Sequence, residues 1–174
     1  TRVSGGLPSW YTSNVSRGVT GANGGFNAGT GLTIAATNGT QRAFTKGLLD
    51  TTMQAAYNSG GNVSKMVVSP YVKSVFVTFM SDANVASFRH AADSGKKTIV
   101  ATADIYEGPF GTVAVVPDRV MAINAATARN VHLIDPSLLA VKTLRKMANV
   151  PNLAKTGDAE KGVILGEMTL AVKN

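Results

Sequence analysis

Phe44–Met80, FTKGLLDTTMQAAYNSGGNVSKMVVSPYVKSVFVTFM, sets a helix, a glycine stop, an apolar strand and a proline-started helix in succession with almost no spare residues. In Thr45–Asn58 the apolar Leu48, Leu49, Met53, Ala55 and Ala56 fall within one broad face of a helix, although Gly47 costs about 1 kcal/mol relative to alanine. Gly60-Gly61 supplies the positive-φ residues that stop helices. Lys65-Met66-Val67-Val68 is short, apolar and β-branched enough to read as a buried strand. Ser69-Pro70 then restarts a helix, because serine can cap the free amides and proline loses no hydrogen bond in a first turn. Behind it Val72, Val75, Phe76, Phe79 and Met80 repeat at the three-and-four spacing of a core-facing stripe. The segment reads as a packing unit without a reactive group.

Outward from this unit the chain alternates extended and polar stretches. Gly18–Gly39 is rich in Gly, Asn, Ala and Thr with almost no charge, and is expected to be a long loop or an extended connector. It lacks the Gly-Lys-Ser/Thr ending of a phosphate-binding loop. Thr98–Tyr106 and Thr112–Val116 flank a Gly/Pro turn and read as a hairpin that ends at Pro117, since proline cannot continue a central ladder. Met121–Asn130 is alanine-rich and reads as a loop or as one or two helical turns. Val131–Ile134 and Ala140–Leu144 are expected to pair around Asp135-Pro136-Ser137, a turn with proline at its second position. Lys155–Lys161 is a compact charged turn, and Gly162–Lys173 a long strand with Ile164, Met168, Leu170 and Val172 on one face and Gly166 between. No repeat of 20 to 50 residues is present.

Several segments together carry a family resemblance. The helix ending in Ala55-Ala56-Tyr57-Asn58-Ser59-Gly60-Gly61 and the Lys65–Pro70 junction resemble the axial domain of major head proteins from tailed bacteriophages. So do, in order, Gly5–Trp10, Asn14–Gly18, Ala103–Tyr106, Phe110–Val113, Val115–Arg119, Leu133–Pro136 and Leu153–Lys161. The resemblance runs from near residue 5 to near residue 173 and implies an α+β chain with the Hong Kong 97-type capsid fold. On that fold, residues 1–40 form an N-terminal segment and Gly-rich connector belonging to the peripheral domain, 41–154 the axial domain with a mixed sheet flanked by helices, and 155–174 a strand returning to the peripheral domain. The sequence starts at Thr1 and lacks the portion that supplies the N-terminal arm, extended loop and spine helix in this fold, so a processed or truncated subunit is expected.

The function implied is that of a structural subunit of an icosahedral shell around double-stranded DNA, assembled in the bacterial cytoplasm and residing in the virion. Its implied partners are other copies of itself, the packaged DNA, and scaffolding, portal or decoration proteins. Charged turns at domain corners suit polar lattice contacts, which makes Arg119, Lys155, Asp158, Glu160 and Lys161 the candidate intersubunit residues.

Composition sets independent bounds. The chain has 174 residues, enough to bury about 70% of its unfolded surface. Cysteine is absent, which removes thiolate metal sites, cysteine nucleophiles and disulfides. No apolar run approaches the roughly 20 residues of a membrane helix, and no membrane partner is expected. Charged residues are 16% of the chain yet the net charge is +7, which suits a subunit that hides surface against neighbours and sits near a polyanion. The same charge supports an alternative, a basic module that binds nucleic acid without sequence preference.

The inventory for catalysis is thin. His132 lies in an apolar strand near Asp135 and Ser137, but such local spacing rarely converges as a triad does, and a structural histidine is expected. His90 sits in a polar stretch. The carboxylates are scattered and no histidine pair has ligand spacing, so neither metal nor cofactor is expected. Trp10-Tyr11 is an aromatic anchor expected to pack against the fold's own core.

Overall fold

The structure, a computed structural model, describes residues 5–79, 104–150, 157–158 and 162–173. In chain order the elements are α1 (Leu7–Trp10), β1 (Gly25–Asn27), β2 (Leu32–Ile34), α2 (Lys46–Asn58), β3 (Lys65–Val68), α3 (Pro70–Phe79), β4 (Ile105–Gly108), β5 (Gly111–Pro117), β6 (Val131–Ile134), β7 (Leu139–Val150) and β8 (Val163–Val172), with single 3-10 turns at Val120–Ala122 and Pro136–Leu138. The chain is mixed α+β, with few helices and several sheets. It divides into two compact units. A ribbon unit gathers the described residues within Thr1–Thr12, Asn23–Thr37 and Ser137–Asn174, and a sheet unit those within Ser13–Ala22 and Asn38–Pro136.

The sheet unit is organised by the Phe44–Phe79 segment. Thr45 caps α2 by accepting a hydrogen bond at Oγ1 from the Leu48 amide at 3.4 Å. At the other end the amides of Ser59, Gly60 and Gly61 return to carbonyls of the last turn, and Gly60 takes the left-handed conformation, φ +82°, that glycine adopts without steric cost. β3 follows, and α3 starts on Ser69, whose buried Oγ accepts from the Val72 amide at 3.2 Å and donates to the Ala128 carbonyl. Phe79 closes α3; the expected stripe residue Met80 lies outside the described residues.

The sheet has the strand order β4-β5-β3-β6. β3 pairs parallel with β5 and antiparallel with β6, while β4 and β5 form a hairpin. The register puts Met66 beside Val115 and Leu133, and Tyr106 beside Val113, so side-chain alternation collects these residues on one face. That face carries the core, in which Tyr106, Val113, Val115, Met66 and Val68 meet Leu49 and Met53 of α2 and Val72 and Phe76 of α3. Phe76 and Tyr106 meet edge to face, ring centroids 6.2 Å apart.

The hairpin appears at Ile105–Gly108 and Gly111–Pro117, and β5 ends at Pro117 as expected; the expected strand start at 98–103 lies outside the described residues. Two expectations are corrected. Val131–Ile134 and Ala140–Leu144 do not pair, because β6 joins the edge of the four-stranded sheet beside β3 and β7 pairs with β8. A proline turn between two apolar runs fixes a change of direction, but the partner is chosen by burial, and β3 offers β6 a buried apolar edge. The Gly18–Gly39 connector also holds a small hairpin, β1–β2. It is made possible by Asn27, whose Oδ1 accepts from the Gly29 and Thr30 amides and whose carbonyl accepts from Gly31.

In the ribbon unit β7 and β8 form a long antiparallel pair whose register shifts twice on the β7 side, between Thr143 and Arg145 and between Arg145 and Ala148. β8 is the continuous strand. Its Gly166 is the point of closest approach, where an added Cβ would stand 2.9 Å from Met147 Cγ.

Candidate interaction surfaces

Three surfaces of the described residues differ from ordinary solvent-facing structure. The first is the β7–β8 ribbon. Pairing of Leu139 with Val172, Val141 with Leu170 and Thr143 with Met168 places these residues on one face, and the period of β8 adds Ile164 to them. Most of these apolar side chains are exposed, Ile164 to 72% and Val141 to 67%. The opposite face carries Lys142 beside Thr169 and Arg145 beside Glu167, the latter pair joined at 3.4 Å. That face also carries Leu165 beside Ala148 and Val163 beside Val150, so the ribbon shows apolar side chains to solvent on both faces. A stable chain tolerates such faces when other surfaces cover them in the working assembly.

The second surface is a cavity of about 430 Å³ in the sheet unit, lined by Arg42, Phe44, Tyr71, Val75 and Arg129 among others. Arg129 lies over the Tyr71 ring, its guanidinium carbon 5.2 Å from the centroid. Arg42 Nη2 donates to Ser16 Oγ at 2.7 Å. Two guanidinium groups beside aromatic rings suit a carboxylate or phosphate carried on an apolar body. The third surface is the turn after β5, where Val120 and Ile123 stand out from the protein.

The polar groups of the interior serve the packing. Asp50 of α2 accepts from Lys46 Nζ at 2.7 Å and from the hydroxyl of buried Tyr106. Burial, with the Asp50 charge adding to it, holds the Tyr106 hydroxyl above its usual pKa, and the hydrogen bond to Asp50 does the same for Lys46. His132 lies on β6 opposite Val67, on the sheet face turned away from the helices. Burial first, and then the Arg17 charge, push its pKa down and favour the neutral ring, the reverse of what a charge-bearing site requires. Asp135 belongs to the sheet unit with His132, whereas Ser137 belongs to the ribbon unit. Trp10 and Tyr11 are half-buried in the ribbon unit, and desolvation raises the Tyr11 pKa to about 12.

Of the five residues proposed from sequence, Arg119 is exposed at the start of the turn after β5 in the sheet unit, and Asp158 is exposed in the ribbon unit. Lys155, Glu160 and Lys161 lie outside the described residues, as does His90. Sequence reasoning missed the exposed pair Val120 and Ile123, and its only hint was a β-branched residue at either end of an alanine-rich turn. Among the described residues no group of three or more His, Asp or Glu could hold a metal ion, and no helix is long and apolar enough to cross a membrane.

Apolar faces shown to solvent by a well-packed sheet unit and by a ribbon describe a protein that works through adhesion. Residues 1–174, the whole chain, match the family of the SU10 major capsid protein, and the chain belongs to that family. It is therefore a structural protein of the virion, a bacteriophage major capsid subunit that associates with other copies. A search of curated proteins found no match.

Proposed function

We propose that this chain is the repeating subunit of an icosahedral phage head that encloses double-stranded DNA, built on the Hong Kong 97-type fold. The sheet unit would be the axial domain and the ribbon unit part of the peripheral domain. The observation that carries this reading is the family match over the entire length. The exposed apolar ribbon supports it, since closed lattices make modest contacts hard to reverse by holding each subunit through several neighbours at once.

Assembly takes place in the host cytoplasm, with scaffolding, portal or decoration proteins as further partners. DNA is held without sequence preference through the basic excess, a net charge of +7 on this chain. Arg119, Lys155, Asp158, Glu160 and Lys161 remain the proposed polar lattice contacts, and the chain acts without turnover, metal or cofactor. The same basic excess favours a second reading, a small nucleic-acid-binding module. Negative-stain microscopy with sizing of the purified full-length protein separates the two. Closed shells support the capsid reading, whereas small oligomers with salt-sensitive DNA binding support the second.

A further inference from the structure

The turn after β5 carries the most exposed large apolar side chain described, Ile123 at 83%, with Val120 at 69% beside it. A single 3-10 turn spans Val120–Ala122 and is closed by the Ile123 amide donating to the Val120 carbonyl at 3.2 Å. In this geometry residues three apart eclipse one another, so Val120 and Ile123 project from the same side. Met121, between them, is buried at 8% exposure and pins the turn to the protein. Ala122, Ala125 and Ala126 are exposed around the pair, with Asn124 between them and Arg119 exposed at the near edge.

The turn is rigid for reasons its hydrogen bonds make plain. Asp118 Oδ1 accepts from the Val120 amide and Asn124 Oδ1 from the Ala126 amide, each at 2.9 Å. Thr127 Oγ1 donates to the Met121 carbonyl at 2.9 Å, and Asn38 Nδ2 donates to the Ala126 carbonyl. Ser69, which caps α3, ties down the Ala128 carbonyl. Polar side chains thus hold the backbone from below while two branched aliphatic side chains are held out to water. Ordering such a group on contact costs little entropy, since both side chains are short and the backbone is already fixed.

We infer that Asp118–Thr127 is a preformed anchor and that Val120 and Ile123 insert into an apolar recess on a neighbouring copy of this chain. A second copy is the occupant because the family works by association of copies. The anchor carries no aromatic residue and a single basic one, Arg119, which falls short of the aromatic and multiply basic fringe that a lipid surface would select. A protruding knob needs a different surface to receive it, so the contact joins two distinct patches of the chain, either twice across a two-fold axis or head to tail around a ring.

This inference rests on the shell assembly proposed above, and the test keeps the two apart. These 174 residues hold no cysteine, so Ile123→Cys adds one thiol to them, and its alkylation rate, read at that position by peptide mass spectrometry, reports burial there. In the full-length protein we expect alkylation to be fast in dissociated subunits and at least about tenfold slower in assembled particles. Ile123→Asp and Val120→Asp are expected to keep the parent's circular dichroism and melting temperature while assembly falls by about tenfold or more, and Ile123→Val to assemble normally. Particles in which the thiol reacts as fast as in free subunits, or an Ile123→Asp protein that assembles like the parent, overturn the anchor and leave the shell standing. A parent that forms no particles overturns both.

Discussion

The four-stranded sheet and the β7–β8 ribbon are both built from apolar strands, yet they treat those residues in opposite ways. β3 and β5 direct Met66, Val68, Val113 and Val115 against two helices, and each is buried. β7 and β8 align Val141, Met168, Leu170, Val172 and Ile164 on one face, and four of these five are exposed. The first arrangement spends its hydrophobic surface on holding one subunit together; the second keeps it in reserve for another surface. The lesson is that apolar content alone does not locate a core. What locates it is a covering layer supplied by the same chain.

The largest expected effect tests the sheet side of this contrast. Phe76→Ala should destabilise the sheet unit by about 3–5 kcal/mol, because a fully buried ring in contact with Tyr106 is replaced by a cavity. Urea unfolding followed by circular dichroism measures it, and a loss below about 1 kcal/mol would erase the distinction between the two regions. A smaller effect is expected from Tyr106→Phe, which removes the donor to Asp50 and leaves that carboxylate to Lys46 alone. About 1–3 kcal/mol should be lost in the same measurement.

Titration sharpens the contrast further. His132 has a folded pKa below its unfolded value, so its contribution to the sheet unit is present above about pH 6.5 and is lost as pH falls. Melting curves across pH 5–8 should show this loss, and His132→Asn should flatten it. Tyr11 behaves in the opposite sense in the ribbon unit: its folded pKa of about 12 keeps its contribution intact below about pH 10 and removes it between pH 10 and 12. Tyr11→Phe should flatten that alkaline limb. The smallest effect on stability belongs to the ribbon face. Ile164→Thr, at a position 72% exposed, should shift unfolding by no more than about 0.5 kcal/mol while reducing association of subunits in sedimentation. A large loss of subunit stability would mean that the ribbon face is already covered within its own chain.

How far the sequence disclosed this arrangement varied with how local the signals were. The span from Thr45 to Phe79 was legible almost to the residue, because Thr45, Gly60, Ser69 and Pro70 each act on backbone groups within a turn of themselves. The β4–β5 hairpin was legible for the same reason. The partners of β6 and β7 were not, since the Asp135-Pro136 turn specifies a bend and says nothing of which distant strand waits on either side. β1 and β2 were hidden by glycine and asparagine, whose low strand preference was overridden by the Asn27 turn. The candidate surfaces were the least legible part. Ile123 and Leu133 look alike in a sequence, and only the fold reveals that one meets solvent and the other packs against the core.

The parallel pairing of β3 with β5 sets the pace at which the subunit can form. Within the four-stranded sheet only the β4–β5 hairpin closes a seam between strands adjacent in sequence; Lys65 must find Ala114 and then Ile134, each far downstream. High contact order of this kind slows folding, and during synthesis β3 emerges well before either strand that completes it. Newly made chains therefore pass through an interval in which the edges of Lys65–Val68 are bare. The rate of subunit maturation, as well as the strength of subunit contacts, then governs how quickly shells can grow.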